Sequence, residues 1–198
     1  MPKTIGLVLA GGRSTRMGGQ DKALIVLAGQ TLLTRAIALL APQVDAVAIN
    51  SNAAGEDLGA FGLPVIPDLV TGYQGPLAGI HAGLSAYPDD AVLTVAVDLP
   101  FLPRDLALRL KAGLQPQRCA YAASGGQHVL ALLWPPGMAR EIERFLQGGG
   151  RSLKDWLRNN GSAVEFSPEG DSDILLNINS PEDLLAAERR LAAQNQQQ

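Results

Sequence analysis

The chain has 198 residues, 46% of them hydrophobic, and a formal net charge of −3. That suits one domain with a sizeable core and argues against a surface built for general attraction to nucleic acid or membrane. No segment reaches the ~20 apolar residues of a membrane span, and the start, MPKTI, lacks the charged and apolar regions of a secretion signal. The single cysteine, Cys119, excludes an internal disulfide and fits a reducing cytoplasm. Its apolar flank reads as buried strand rather than nucleophile. Two histidines, His81 and His128, far apart, give no zinc spacing.

The first apolar run, residues 5–10, has the length of a buried strand. It leads into Gly11-Gly12, a polar loop with Arg13 and Arg16, a second glycine pair at 18–19, and Asp21-Lys22. Glycine lets the backbone approach a ligand closely, so that successive N–H groups can point at one oxygen cluster. Arginine adds a planar fork matched to phosphate, and lysine a compact charge. Three cations stand against one acid in residues 13–22 of an acidic chain, which points to an anionic ligand. The spacing excludes the dinucleotide fingerprint G-x-G-x-x-G. It also excludes the Walker loop, because Asp21 precedes Lys22 and Ala23 follows it. The loop reads as a phosphate loop of another kind, against the plainer alternative of a turn with solvated arginines.

A helix is predicted over 31–41, with Leu32, Leu33, Ala36, Ile37 and Leu40 on one face. Strands follow at 46–50 and 64–66. A helix over 76–87 has Pro76 in its first turn, a Leu77, Ile80 and Leu84 stripe, and Gly79 and Gly83 for close packing. A strand at 92–97 and a helix over 103–114 complete a first half that reads as a parallel sheet covered on both faces. In the second half, strands 119–123 and 129–134 flank Ser124-Gly125-Gly126-Gln127, a hairpin signal. Helices over 137–146 and 151–159 flank three glycines, 148–150. Strands are predicted at 163–166 and 175–178. A last helix starts at Ser180, with Pro181 first and Asp183 in capping position. Residues 194–198 read as a frayed tail. The expected fold is α/β: a three-layer α/β/α, Rossmann-like single domain over 1–193, mainly parallel, with an antiparallel addition in the second half.

In such sheets the ligand sits beyond the carboxyl ends of the strands. The loop after the first strand, Asn50, Asp68 and Asp98 all fall there. Asp98 can hold Mg²⁺ against phosphates, or it can merely cap the turn before Pro100. Lys22 and Arg16 can place positive charge where a phosphoryl group transfers, or lie on the surface. Asp68 and Asn50 can contact a nucleotide or serve as turn residues. Asn177 and Asn179 alternate with Ile178, so on a strand they would share a face toward a polar acceptor; otherwise they mark a strand end. Arg151, after the three glycines at a helix start, belongs either to a second anion site or to a flexible connector.

The run LAGGRSTRMGGQDK at 9–22 resembles the nucleotide-binding signature of the nucleoside-diphosphate-sugar-pyrophosphorylase-like nucleotidyltransferases. Within that group, GPLAG at 75–79, VDLPFLP at 97–103 and NINSPEDL at 177–184 complete a resemblance to the molybdenum cofactor guanylyltransferases, in that family's order. The resemblance covers nearly the whole chain apart from its glutamine-rich end. It implies GMP transfer from GTP to molybdenum-loaded molybdopterin with release of pyrophosphate, nucleotide in the N-terminal half and acceptor in the C-terminal half. It further implies Mg²⁺ on Asp98, charge stabilisation by Lys22 and Arg16, and guanine against the backbone of Leu9, Ala10 and Gly11, with Gly12 in the same loop. Asn50 and Asp68 match nucleotide contacts, and Asn177, Asn179 and Arg151 fall to the acceptor side. Molybdenum-enzyme chaperones or cofactor-insertion proteins are possible partners; nucleic acid and membrane are not. Three alternatives stay open. The related cytidylyltransferases typically carry LAAG where this chain has LAGG, sugar-1-phosphate nucleotidyltransferases are generally longer, and a non-catalytic GTP-binding carrier would not need Lys22 and Asp98 together.

Overall fold

The computed structural model describes residues 2–11, 21–52, 56–70, 72, 75–166, 174 and 176–195. The first half runs β1 (Thr4–Leu9), a 3-10 turn (Lys22–Leu24), β2 (Val26–Leu27), β3 (Gln30–Thr31), α1 (Leu32–Leu40), β4 (Ala46–Asn50), α2 (Glu56–Gly59), β5 (Val65–Ile66), α3 (Pro76–Ala86), β6 (Ala91–Ala96) and α4 (Leu106–Ala112). The second half runs β7 (Cys119–Ser124), β8 (Gln127–Trp134), α5 (Ala139–Gln147), α6 (Leu153–Asn160), β9 (Gly161–Glu165) and α7 (Pro181–Asn195). No helix among the described residues is long and apolar enough to cross a membrane.

Seven strands form one sheet in the order β5-β4-β1-β6-β8-β7-β9. β1 pairs in parallel with β4 on one side and β6 on the other. β8 runs antiparallel to both of its neighbours, β6 and β7, and β9 pairs in parallel with β7. The antiparallel addition is therefore one strand, set inside the sheet by a tight hairpin. Gly125 and Gly126 both have positive φ (56° and 76°), as a two-residue turn matched to strand twist requires. The chain leaves β1 toward β4 and β5, then returns to build β6 on β1's other side. The crevice of such a sheet opens where that order reverses, beyond the carboxyl ends of β1 and β6.

Strand alternation divides the core in two. Val8, Ile49, Leu93, Val95 and Leu133 pack against α1 and α4, through Leu33, Leu40, Leu106 and Leu110, and against Ala187 of α7. Leu7, Leu9, Val92, Leu132 and Trp134 face α3, α5 and α6, through Ile80, Leu84, Ile142, Leu146 and Trp156. Trp134 rests against Trp156 at 5.1 Å between ring centroids, and its indole N–H donates to the buried Thr94 hydroxyl at 2.9 Å. Hence three layers, with α1, α4 and α7 on one face and α3, α5 and α6 on the other.

The structure corrects three expectations and adds one element. Residues 176–179 form no strand; instead the Ile178 N–H donates to the Asp98 carbonyl at 3.0 Å. One bond to the turn after β6 replaces a ladder. A small antiparallel pair, β2 with β3, turned by Ala28 and Gly29 at positive φ, stands where no element is predicted. β9 begins two residues earlier than the expected strand at 163–166. The final helix takes in Gln194 and Asn195, the first two residues of the expected tail.

Candidate functional site

Four loops converge at the crevice. β1 delivers Leu9 and Ala10, both buried, and the exposed Gly11. The Ala10 N–H donates to the Asn50 carbonyl at 2.9 Å and the Val97 N–H to the Leu9 carbonyl at 3.2 Å, so the parallel ladders continue just past the strand ends. A methyl added at Gly11 would meet nothing within 4 Å; the fold itself does not demand glycine there.

Lys22 begins the 3-10 turn. Asp21 caps that turn by accepting the Ala23 N–H at 3.0 Å, and the buried Ala23 and Ile25 anchor it in the core. The Lys22 ammonium donates to Asp98 Oδ2 at 2.8 Å and to Asn179 Oδ1 at 2.5 Å. Both members of the ion pair are largely shielded, with side chains 19% and 17% exposed. Three residues from remote parts of the chain thus meet at the topological switch point.

Asn179 is held in turn by α7. The Asn179 and Ser180 N–H groups both donate to Asp183 Oδ2 at 2.9 Å, and the Asp183 N–H returns to the Ser180 hydroxyl at 3.2 Å. The backbone N–H of Asn179 is the main cause holding the Asp183 carboxyl below its ordinary range. Burial opposes it, while Ser180 and the Lys22 charge add to it.

A second cluster lies after β4 and β5. The Asn50 amide donates to the Ile66 carbonyl at 3.0 Å and to Asp68 Oδ1 at 2.9 Å. Asn52 donates to Asp68 Oδ2 at 2.8 Å and accepts the Asp68 N–H at 2.8 Å. Asn50 is buried against α3, where a Cβ on Gly79 would fall 2.0 Å from Asn50 Oδ1. Gly79 is the seat of the Asn50 side chain.

The remaining sequence candidates scatter. Asn177 is exposed. Arg151 donates from Nη1 to the Leu146 and Gly150 carbonyls, at 3.0 and 2.7 Å, closing the end of α5. Its own carbonyl lies 3.8 Å from where a Cβ on Gly75 would stand. Ser152 caps α6 by accepting the Asp155 N–H, which occupies part of the expected anion-binding helix start. Gly12 and Arg16 lie outside the described residues. Sequence reasoning missed Asn52 and Asp183 as site-builders. An Asn-x-Asn repeat at 50–52 and the cap at 180–183 were the available signals. Cys119 is buried and its thiol is pushed up to about 12 by that burial, so it is no nucleophile.

Among the described residues no group of three or more His, Cys, Asp or Glu side chains can hold a metal. Asp98 nevertheless suits Mg²⁺, which commonly takes one or two carboxylates and completes its shell with phosphates and water. Two oxygens, Asp98 Oδ2 and Asn179 Oδ1, already converge on one positive charge, the Lys22 ammonium.

Residues 6–164 match the family described as MobA-like NTP transferase domain. A molybdenum cofactor guanylyltransferase of Rhodopseudomonas palustris is 42% identical over 197 residues, covering 95% of this chain and 94% of its own. One from Rhizobium johnstonii is 43% identical over 201 residues, covering 95% and 93%. The crystal structure of molybdopterin-guanine dinucleotide biosynthesis protein A from Archaeoglobus fulgidus superposes with a TM-score of 0.76 at 24% identity, over 96% of this chain and 99% of that one, and so shares the fold. The chain belongs to the MobA-like NTP transferase domain family.

Proposed function

We propose that the chain transfers GMP from GTP to the terminal phosphate of molybdenum-loaded molybdopterin. The observation that carries this reading is the shielded Lys22–Asp98 pair at the switch point between β1 and β6, in a chain more than 40% identical to relatives named for that activity. An acceptor phosphate oxygen attacks the α-phosphorus of GTP. A new P–O bond forms, the α–β phosphoanhydride bond breaks, and pyrophosphate leaves with the electron pair. Protein catalysis of such transfer consists mostly of positioning and charge stabilisation.

Lys22 supplies a fixed positive charge beside the transferring group, and Arg16 a second from the same loop. Asp98 is the residue that would hold Mg²⁺, whose chemistry is to neutralise and align phosphate oxygens. Leu9, Ala10 and Gly11 present backbone groups to guanine, and Gly12 belongs to the same nucleotide-binding run of sequence. The Asp68 oxygens each accept one amide already and keep lone pairs for a ribose hydroxyl or base N–H. Asn177 and Arg151 lie on the acceptor side, with the Arg151 guanidinium also tied to α5. The enzyme works in the cytoplasm and passes its product to molybdenum-enzyme chaperones or cofactor-insertion proteins.

The test is pyrophosphate release with Mg²⁺ and molybdenum-loaded molybdopterin, comparing GTP with CTP, ATP and UTP. Release with GTP alone is expected. Release with CTP moves the chain to cytidylyl transfer. GTP binding without release from any nucleotide makes it a carrier.

A further inference from the structure

Lysine's flexible four-carbon stem and compact charge define no geometry of their own; something must hold the ammonium in place. Asp98 is one partner, but a carboxylate that would also hold a divalent cation would be shared. The other partner among the described residues is Asn179 Oδ1. What fixes Asn179 is not a strand, since residues 176–179 form none. It is the start of α7. In a capping box the third helical residue reaches back to the N–H of the cap residue. Here Asp183 does that for Ser180, and the same oxygen also takes the N–H of Asn179, one residue further out. Capping the helix does not require that second bond. Its consequence is to fix the backbone that carries the side chain on Lys22. The neighbouring Ile178 is pinned as well, by its buried side chain and by its N–H on the Asp98 carbonyl. The segment 178–183 therefore grips both members of the ion pair.

We infer that Asp183 is a positioning residue for nucleotidyl transfer: through the Asn179 N–H it sets the Asn179 side chain that holds the Lys22 ammonium. This rests on the proposed reading of Lys22. Asp183 itself bonds only to residues of its own turn in the bonds described.

The experiment pairs kinetics with a measurement that needs no turnover. The reactivity of the Lys22 amine toward an amine-acylating reagent is followed by peptide mass mapping, without substrates. Asp183→Ala is expected to raise Lys22 labelling severalfold and to lower kcat about tenfold, with KM for GTP within about twofold. Asp183→Asn, which keeps one acceptor oxygen, restores both. Thr31→Ala, which removes the cap of α1, costs comparable stability and moves neither readout. Wild-type labelling and kcat in Asp183→Ala would overturn the inference. So would an Asp183→Asn variant as damaged as Asp183→Ala, or a Thr31→Ala variant with the same kinetic loss. If wild-type protein releases no pyrophosphate from GTP, the guanylyl reading fails, while the labelling series still decides the positioning.

Discussion

The two polar clusters at the mouth of the sheet are built in opposite ways. Asn50, Asn52 and Asp68 come from neighbouring strands, β4 and β5, and satisfy one another through amide–carboxylate bonds. Lys22, Asp98 and Asn179 come from the two ends and the middle of the chain and meet as an ion pair with an amide support. The local cluster is rigid before any ligand arrives, since each bond restrains a short loop and Asn50 is wedged against α3. The remote cluster concentrates charge where the sheet order reverses. A rigid neutral-plus-carboxylate surface suits recognition, and a held cation beside a carboxylate suits phosphoryl chemistry. The first should govern binding and the second turnover.

The sharpest way to break that division is to remove the charges. Lys22→Ala and Asp98→Ala are each expected to lower kcat by about 10²–10³, with unchanged folding by circular dichroism and KM for GTP changed far less. Near-normal turnover in either variant would move the chemistry elsewhere. On the other cluster, Asp68→Ala is expected to raise KM for GTP about tenfold while leaving kcat within a few-fold, because it removes an interaction made equally in ground and transition states. A kcat loss as large as that of Asp98→Ala would erase the distinction.

Two glycines provide a second comparison. Gly79 is required by the fold, because a methyl there strikes the Asn50 side chain. Gly79→Ala should therefore cost about 1–3 kcal/mol by overpacking and weaken GTP binding through Asn50. Gly11 meets nothing, so Gly11→Ala should leave stability within about 0.5 kcal/mol and act only on the nucleotide, read as a changed GTP-to-CTP ratio. Thermal unfolding and nucleotide competition together separate a glycine kept for packing from one kept for a ligand.

The sequence made Lys22, Asp98, Asn50 and Asp68 readable for a physical reason. Asn50, Asp68 and Asp98 end or follow apolar strand runs, and in a parallel sheet strand ends converge; Lys22 stands out as a cation closing the glycine-rich loop after the first strand. Asn179 was readable as polar and boundary-placed, but not by its true contact. An extended segment with one hydrogen bond and a strand with a full ladder share the same Asn-Ile-Asn alternation. The partner that distinguishes them, Asp98, lies far away in sequence. The small β2–β3 hairpin escaped because Ala28, not asparagine or glycine, takes the first positive-φ position. Asn52 escaped because its partnership with Asp68 depends on β4–β5 pairing that comprises two residue pairs.

The smallest effect expected lies at the junction of α7 with the charged cluster. N–H donation and the nearby ammonium hold the Asp183 carboxyl below its ordinary range. A group whose folded-state pKa is depressed stabilises the fold above its unfolded value, about 3.9 for aspartate, and that contribution is lost as pH falls through the folded value. Urea midpoints measured from about pH 6 down to pH 3 should therefore show wild type losing its advantage over Asp183→Asn only at the acid end. Lys22→Ala should narrow that advantage slightly, since the lysine charge is one contributor, and the N–H bonds should keep most of it. If Lys22→Ala abolished it, the ammonium and not the helix cap would be holding the carboxylate, and the direction of support between α7 and the ion pair would be reversed.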